Sequence, residues 1–257
     1  MISSYLTILL SFVMGFSVFL SMPIIFHKGF KTKQMLFLNA AAIGILVFLM
    51  LDVYGDVANA FGNYTLSNPL LLIFIAGFSL SFLFFITPRS SRDPEESPKR
   101  TSMLAAVGIG FQNVTEGLLF GSAGAAGLLP IYIISIIGFS LQNLTEGFPI
   151  SAPLIGLKEK VEKWFVVSAF LVSGIPTIIG TVIGLVFFSN YFLIFFDSLA
   201  SAAILYVVLV LFHVNMSKCV KEAKKDIKLR RQYVWLTYAG ILAGFVVAFI
   251  LNYAVVY

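Results

Sequence analysis

Gln112-Asn113-Val114-Thr115-Glu116-Gly117 and Gln142-Asn143-Leu144-Thr145-Glu146-Gly147 are two copies of one polar hexapeptide, matching at every position but the third. Each sits in apolar sequence and brings one carboxyl and two side-chain amides. Within each copy Gln and Glu are four residues apart, so on a helix they share a face, and Asn, three before Glu, flanks it. Placed opposite one another, the copies offer two carboxylates and four amide oxygens, an all-oxygen donor set suited to a cation. An ionisable side chain near the centre of a bilayer costs about 2.5–3.5 kcal/mol on insertion scales. Two adjacent buried carboxylates also cannot both stay ionised without a counter-charge. No Lys or Arg occurs between positions 101 and 157 to supply one. A divalent cation would supply it. The competing reading is a hydrogen-bonded polar cluster that glues two helices with its glutamates protonated. Thr115 and Thr145 are expected to bond back to their own helix carbonyls.

The elements that must hold these residues are membrane helices. The chain has 257 residues, 59% hydrophobic and 11% charged, with mean hydropathy +0.98. This is the composition of a polytopic membrane protein. A span needs about 20 apolar residues, and eight such segments are read, over about 4–26, 34–54, 68–87, 102–123, 129–156, 163–188, 191–213 and 233–256. They form a single transmembrane domain over 1–257. The first has no basic residue before it and is read as a retained span rather than a cleaved signal.

All 17 basic residues fall in odd-numbered loops. Lys28, Lys31 and Lys33 are in the first, Arg89, Arg92, Lys99 and Arg100 in the third, Lys158, Lys160 and Lys163 in the fifth, and Lys218 through Arg231 in the seventh. The positive-inside rule places these loops in the cytoplasm and both termini outside. The net charge of +5 then requires no nucleic-acid partner, since the run Lys218–Arg231 serves as an anchor beside anionic lipid. Pro88–Thr101 reads as a short linker. The short loops and lack of a targeting signal point to the plasma membrane.

No HExxH, GxSxG, P-loop or CxxC pattern is present, and neither histidine, His27 or His213, lies near the glutamates. An enzyme is therefore not expected. The lone Cys219 is read as incidental. Asp52 and Asp56, at the outer end of the second span, and Asp197, at the outer start of the seventh, could form a ring that concentrates cations at an entrance. Their alternative reading is as solvated helix-end residues. His213, at the inner end of the seventh span, is a candidate exit ligand. Gly108, Gly110, Gly117, Gly121, Gly124 and Gly127 are expected to permit close helix packing.

With these residues in place, the chain resembles the ZIP (Zrt/Irt-like) family of divalent-metal transporters. The likeness rests on the two motifs, most closely on Gln142 through Leu154, and on Gly44–Asp52 and Leu205–Val210. It implies an all-α fold of eight transmembrane helices in a 3+2+3 arrangement, with spans one to three and six to eight as inverted repeats. It also implies a homodimer and a mid-membrane metal site between spans four and five. The metal residues would be Gln112, Asn113, Glu116, Gln142, Asn143 and Glu146. The metal is the transported substrate, and no prosthetic group is expected. The chain departs from the family at Gln112 and Gln142, where histidine is usual, and at Thr177, where a glutamate would fall. An all-oxygen site leans toward Mn²⁺ or Fe²⁺, whereas the resemblance leans toward zinc. Two further readings stay open: a carrier of another cation, and a non-transporting membrane sensor or scaffold with a degenerate metal site.

Overall fold

A computed structural model describes residues 2–27, 29–61, 68–87, 97–155, 157, 161–223 and 226–253. Lys28, Arg89, Arg92, Lys158, Lys160, Lys224 and Lys225, with Pro88 and Pro94 of the linker, lie outside the described residues. The described chain is helical, without strands. α1 (Ser4–Phe16) continues as a 3-10 segment (Ser17–Phe26), followed by α2 (Thr32–Phe61), α3 (Pro69–Ile86), α4 (Pro98–Ala126), α5 (Leu129–Ser151), α6 (Lys163–Val186), α7 (Asn190–Ala223) and α8 (Ile227–Tyr253). Seven of these, counting α1 with its continuation, are long and apolar enough to cross a membrane. α5 has 23 residues, or about 34 Å of helix, but Gln142, Asn143 and Glu146 interrupt its apolar character. The chain is thus a multi-pass, all-helical membrane protein.

Helix starts follow local chemistry. Asn68 caps α3, its side chain accepting from Leu70 N at 3.0 Å, with Pro69 at the first helical position. Ser97 caps α4 in the same way, accepting from Arg100 N at 3.2 Å ahead of Pro98. A side-chain acceptor satisfies an orphan N–H there, and proline has none to satisfy. α4 therefore starts four residues before the expected 102, and Pro98–Thr101, assigned above to the linker, form its first turn. α2 and α7 extend past their expected ends at 54 and 213, to Phe61 and Ala223. The basic helix starts cluster on one side. Lys33 Nζ donates to Gln232 Oε1 at 3.0 Å, and Lys99 meets Glu162 at 4.0 Å.

α4 lies at the centre, with 72% of its apolar window buried against 6% for α3 at the edge. It packs against α6, α7, α5 and α1, while α2 packs on α8 and α7, and α3 on α7. The main core joins Leu46, Leu49, Ile109, Ile150 and Phe170. Outward faces such as Leu72, Leu80 and Leu83 of α3 and Leu242, Val246 and Ile250 of α8 remain exposed, as lipid contact requires.

Where α4 crosses α6 there is no room for side chains. A Cβ on Gly110, Gly117 or Gly121 would strike the carbonyls of Val172, Thr177 or Thr181, and one on Gly180 or Gly184 would strike those of Val114 or Leu118. Lipid supplies no hydrophobic drive between helices, so such backbone contact holds them together. Gly127 departs from this expectation. It does not pack helices but ends α4 in the left-handed region (φ 72°), with Leu128 N–H bonded to Ala123 O at 3.0 Å. Gly127→Ala places a Cβ in that conformation and is expected to cost about 1–2 kcal/mol, read as a lower melting temperature.

Candidate functional site

The two motifs meet. Asn113 Nδ2 on α4 donates to Asn143 Oδ1 on α5 at 2.8 Å, and also to the Ser173 carbonyl of α6 at 2.9 Å. A carbonyl only accepts, so Ser173 fixes which end of the Asn113 amide is nitrogen, and Asn143 must present its oxygen to it. The asparagine pair is therefore a cross-brace over three helices. Gln112, Asn113, Glu116, Gln142, Asn143 and Glu146 are all buried, and Asn113, Asn143 and Glu146 are fully inaccessible. Helical spacing sets the local contacts. Gln112 Nε2 reaches Glu116 Oε1 at 3.4 Å. The Thr115 and Thr145 hydroxyls bond back to the carbonyls of Gln112 and Gln142, each at 2.7 Å, as read from the sequence.

The unpaired atoms define what the site can do. Gln112 Oε1, Asn113 Oδ1, Glu116 Oε2 and both Glu146 carboxyl oxygens are buried without a hydrogen-bond partner. Buried polar atoms nearly always have partners, and these five are all acceptors. On the facing part of α6, the Ser173 and Thr177 hydroxyls are also buried and unpartnered. Asn143 differs from its expected role. Its oxygen is engaged by Asn113 and its Nδ2 is left bare, so it braces the site instead of offering a donor oxygen. Gln142 Nε2 likewise makes no close hydrogen bond, although its side chain faces the carboxyls of Asp52 and Glu146 at longer range, as that of Asn113 faces Glu146. Among the described residues no three His, Cys, Asp or Glu side chains stand close enough to hold a metal by themselves. A cation here needs the amide oxygens as well as the two glutamates.

No protein-family model matches the chain, and no curated protein matches it.

The outer acids divide. Asp56 is exposed and Asp52 half-buried, its Oδ1 accepting from Asn252 Nδ2 of α8 at 3.1 Å. Both act electrostatically on Glu116, and Asp52 on Glu146. Because α2 runs on to Phe61, neither ends its helix. Asp197 is only 1% exposed, so the solvated helix-end reading is wrong for it. α7 starts at Asn190, which carries Asp197 into its second turn and under α3 and α4. His213 is exposed on α7 and lines a cavity of about 580 Å³ with Met35, Asn39, Thr101, Pro153, Ser217 and Lys218. It stands 3.5 Å from Ser217 Oγ. Since α7 continues past it to Ala223, it is in a wall of that cavity and not at a helix end. Two features have no signal in the motifs: the Ser173 carbonyl, and the buried, unpartnered hydroxyl of Ser201, one turn past Asp197. The first is a backbone atom, without a residue-type signal. The second is one serine among several.

Proposed function

We propose that the chain is a secondary carrier that moves a divalent metal cation into the cytoplasm by alternating access, with the metal held between α4 and α5. The observation that carries this reading is the set of five unpartnered, buried acceptor oxygens on Gln112, Asn113, Glu116 and Glu146. A dication neutralises the two carboxylates and satisfies the amide oxygens together, which no side chain nearby does. Oxygen donors without nitrogen or sulfur favour Mn²⁺ or Fe²⁺ over softer ions. ZIP-like architecture is part of the proposal. Exchanging α1–α3 with α6–α8, and α4 with α5, maps the α2–α8 contact onto α7–α3, α4–α6 onto α5–α1 and α4–α7 onto α5–α2. Such an exchange is what inverted repeats produce. The basic helix starts then lie in the cytoplasm, both termini outside the plasma membrane, and the wall containing His213 lines the inner path. A homodimer completes the proposal.

The test is the melting temperature of the purified protein against Mn²⁺, Fe²⁺, Zn²⁺, Cd²⁺, Co²⁺, Mg²⁺ and Ca²⁺. An ion that binds only the folded state stabilises it by about 2.7 kcal/mol at 100 times its Kd. A shift with Mn²⁺ or Fe²⁺ that disappears in Glu116→Gln/Glu146→Gln is the expected outcome. A second reading, a non-transporting sensor or scaffold, is favoured by the lack of a three-ligand His, Cys, Asp or Glu cluster among the described residues. It predicts no shift with any ion.

A further inference from the structure

Asp197 is buried apart from the motif glutamates, and the charged groups that act on it are acids. Its Oδ2 is unpartnered. Ser201, one turn on and on the same face, is fully buried with an unpartnered hydroxyl. The Thr115 hydroxyl of α4 lies beside the Asp197 carboxyl, but its single hydrogen is committed to the Gln112 carbonyl at 2.7 Å. Thr115 can offer Asp197 only lone pairs. The neighbouring Ser198 also gives its hydrogen away, to the Phe195 carbonyl at 2.6 Å. It packs against Gly77 of α3 so tightly that a Cβ there would strike its hydroxyl. Ionisable groups on the surrounding helices do not help. α2 brings the acids Asp52 and Asp56 and the phenol Tyr54, whose ring packs on Phe74, α3 has no ionisable side chain, α4 brings Glu116 next to Thr115, and the outer half of α8 carries only Tyr253.

An ionised carboxylate accepts only, whereas a protonated one has one O–H to donate. The charged neighbours of Asp197 are acids, and Thr115 and Ser198 have spent their hydrogens, so, Ser201 apart, its surroundings complement the protonated form. We propose that Asp197 is the carrier's proton-binding residue, holding one proton against Thr115 Oγ1 and releasing it to bulk water when the outer face of α7 opens. This rests on the carrier reading above. The coupling route is short. Thr115 adjoins Glu116, and its hydroxyl is tied to the carbonyl of Gln112. When the proton leaves, a carboxylate is set against an oxygen with no hydrogen to give, and α4 is pushed relative to α7. Nothing but the proton is transferred, and it leaves as hydrated H⁺.

Infrared difference spectra of the full chain in proteoliposomes, taken between alkaline and acidic buffer, test this. The expected result is a protonated-carboxyl C=O band that titrates, is lost in Asp197→Asn and survives in Glu116→Gln/Glu146→Gln. Asp197→Asn keeps the shape of the neutral acid, so folding should survive. In the same vesicles, an imposed pH gradient should change metal uptake by the wild type and leave that of Asp197→Asn unaffected. A band unchanged by Asp197→Asn overturns the proposal. So does its loss when NaCl replaces KCl at fixed pH, which would mark a sodium site. Failure of the carrier reading looks different: the wild type would show no metal-induced melting shift while the Asp197 band still titrated.

Discussion

Metal uptake into proteoliposomes is expected to fall by more than about 100-fold, at sub-saturating metal, when Glu116→Gln and Glu146→Gln are combined. Groups that merely orient a ligand are worth about 10–100-fold in metal affinity, and this pair supplies both formal charges of the proposed site. Glutamine preserves side-chain size and one carbonyl oxygen, so helix packing is left nearly intact. Three of the five unpartnered oxygens belong to these two residues. The double variant should melt as high as the wild type without metal, or higher, because two buried acids are gone. Uptake within a fewfold of wild type would sink the site as drawn. Asn113→Ala offers a finer reading. It removes the brace to Asn143 and to the Ser173 carbonyl together with one proposed donor oxygen, but no charge, so uptake should fall by about 10–100-fold.

The second large effect is structural. Gly117→Val should destabilise the protein by about 3 kcal/mol or more, at the upper end of overpacking costs. The reason is the nature of the obstacle. A Cβ at Gly117 would lie against the Thr177 carbonyl, with Thr181 N at 2.8 Å and Gly180 Cα at 3.0 Å. All three are backbone atoms that no rotamer change can move, so α4 and α6 must separate. At a few degrees per kcal/mol for a chain of this size, the melting temperature should drop by roughly 6–12 °C. Gly138→Ala on α5 is the control, because a Cβ there meets nothing within 4 Å. Helix propensity then favours alanine by about 1 kcal/mol. Equal losses from the two variants would refute backbone contact as the bond between α4 and α6.

Residues that act through composition or local spacing were legible in the sequence. Long apolar runs marked the helices, and a duplicated Gln-Asn-x-Thr-Glu-Gly with a short connection placed the two motifs side by side. Thr115 and Thr145 bond back to their own helices because that contact depends only on helical spacing. Features that depend on how helices rotate about one another were not legible. Whether Asn143 offers or spends its oxygen depends on where α6 places the Ser173 carbonyl. Asp197 reads as a surface acid until α3 and α4 cover it. Gly127 looks like its neighbours in a glycine-rich stretch, yet its φ of 72° ends the helix. His213 appeared terminal because hydropathy fades there, whereas backbone hydrogen bonding carries α7 on to Ala223.

The 3-10 segment Ser17–Phe26 has a mechanical consequence. A 3-10 helix rises about 2.0 Å per residue and an α-helix about 1.5 Å, so ten residues are about 5 Å longer in the tighter winding. That difference is close to one α-helical pitch. The segment packs along α5, where Val18 and Ser21 abut Gly147 directly after Glu146. Rewinding it to α geometry would draw the two ends of the first span together by that amount and slide its contact past Gly147. The winding of the first span thus sets where Val18 and Ser21 meet the helix that carries Glu146.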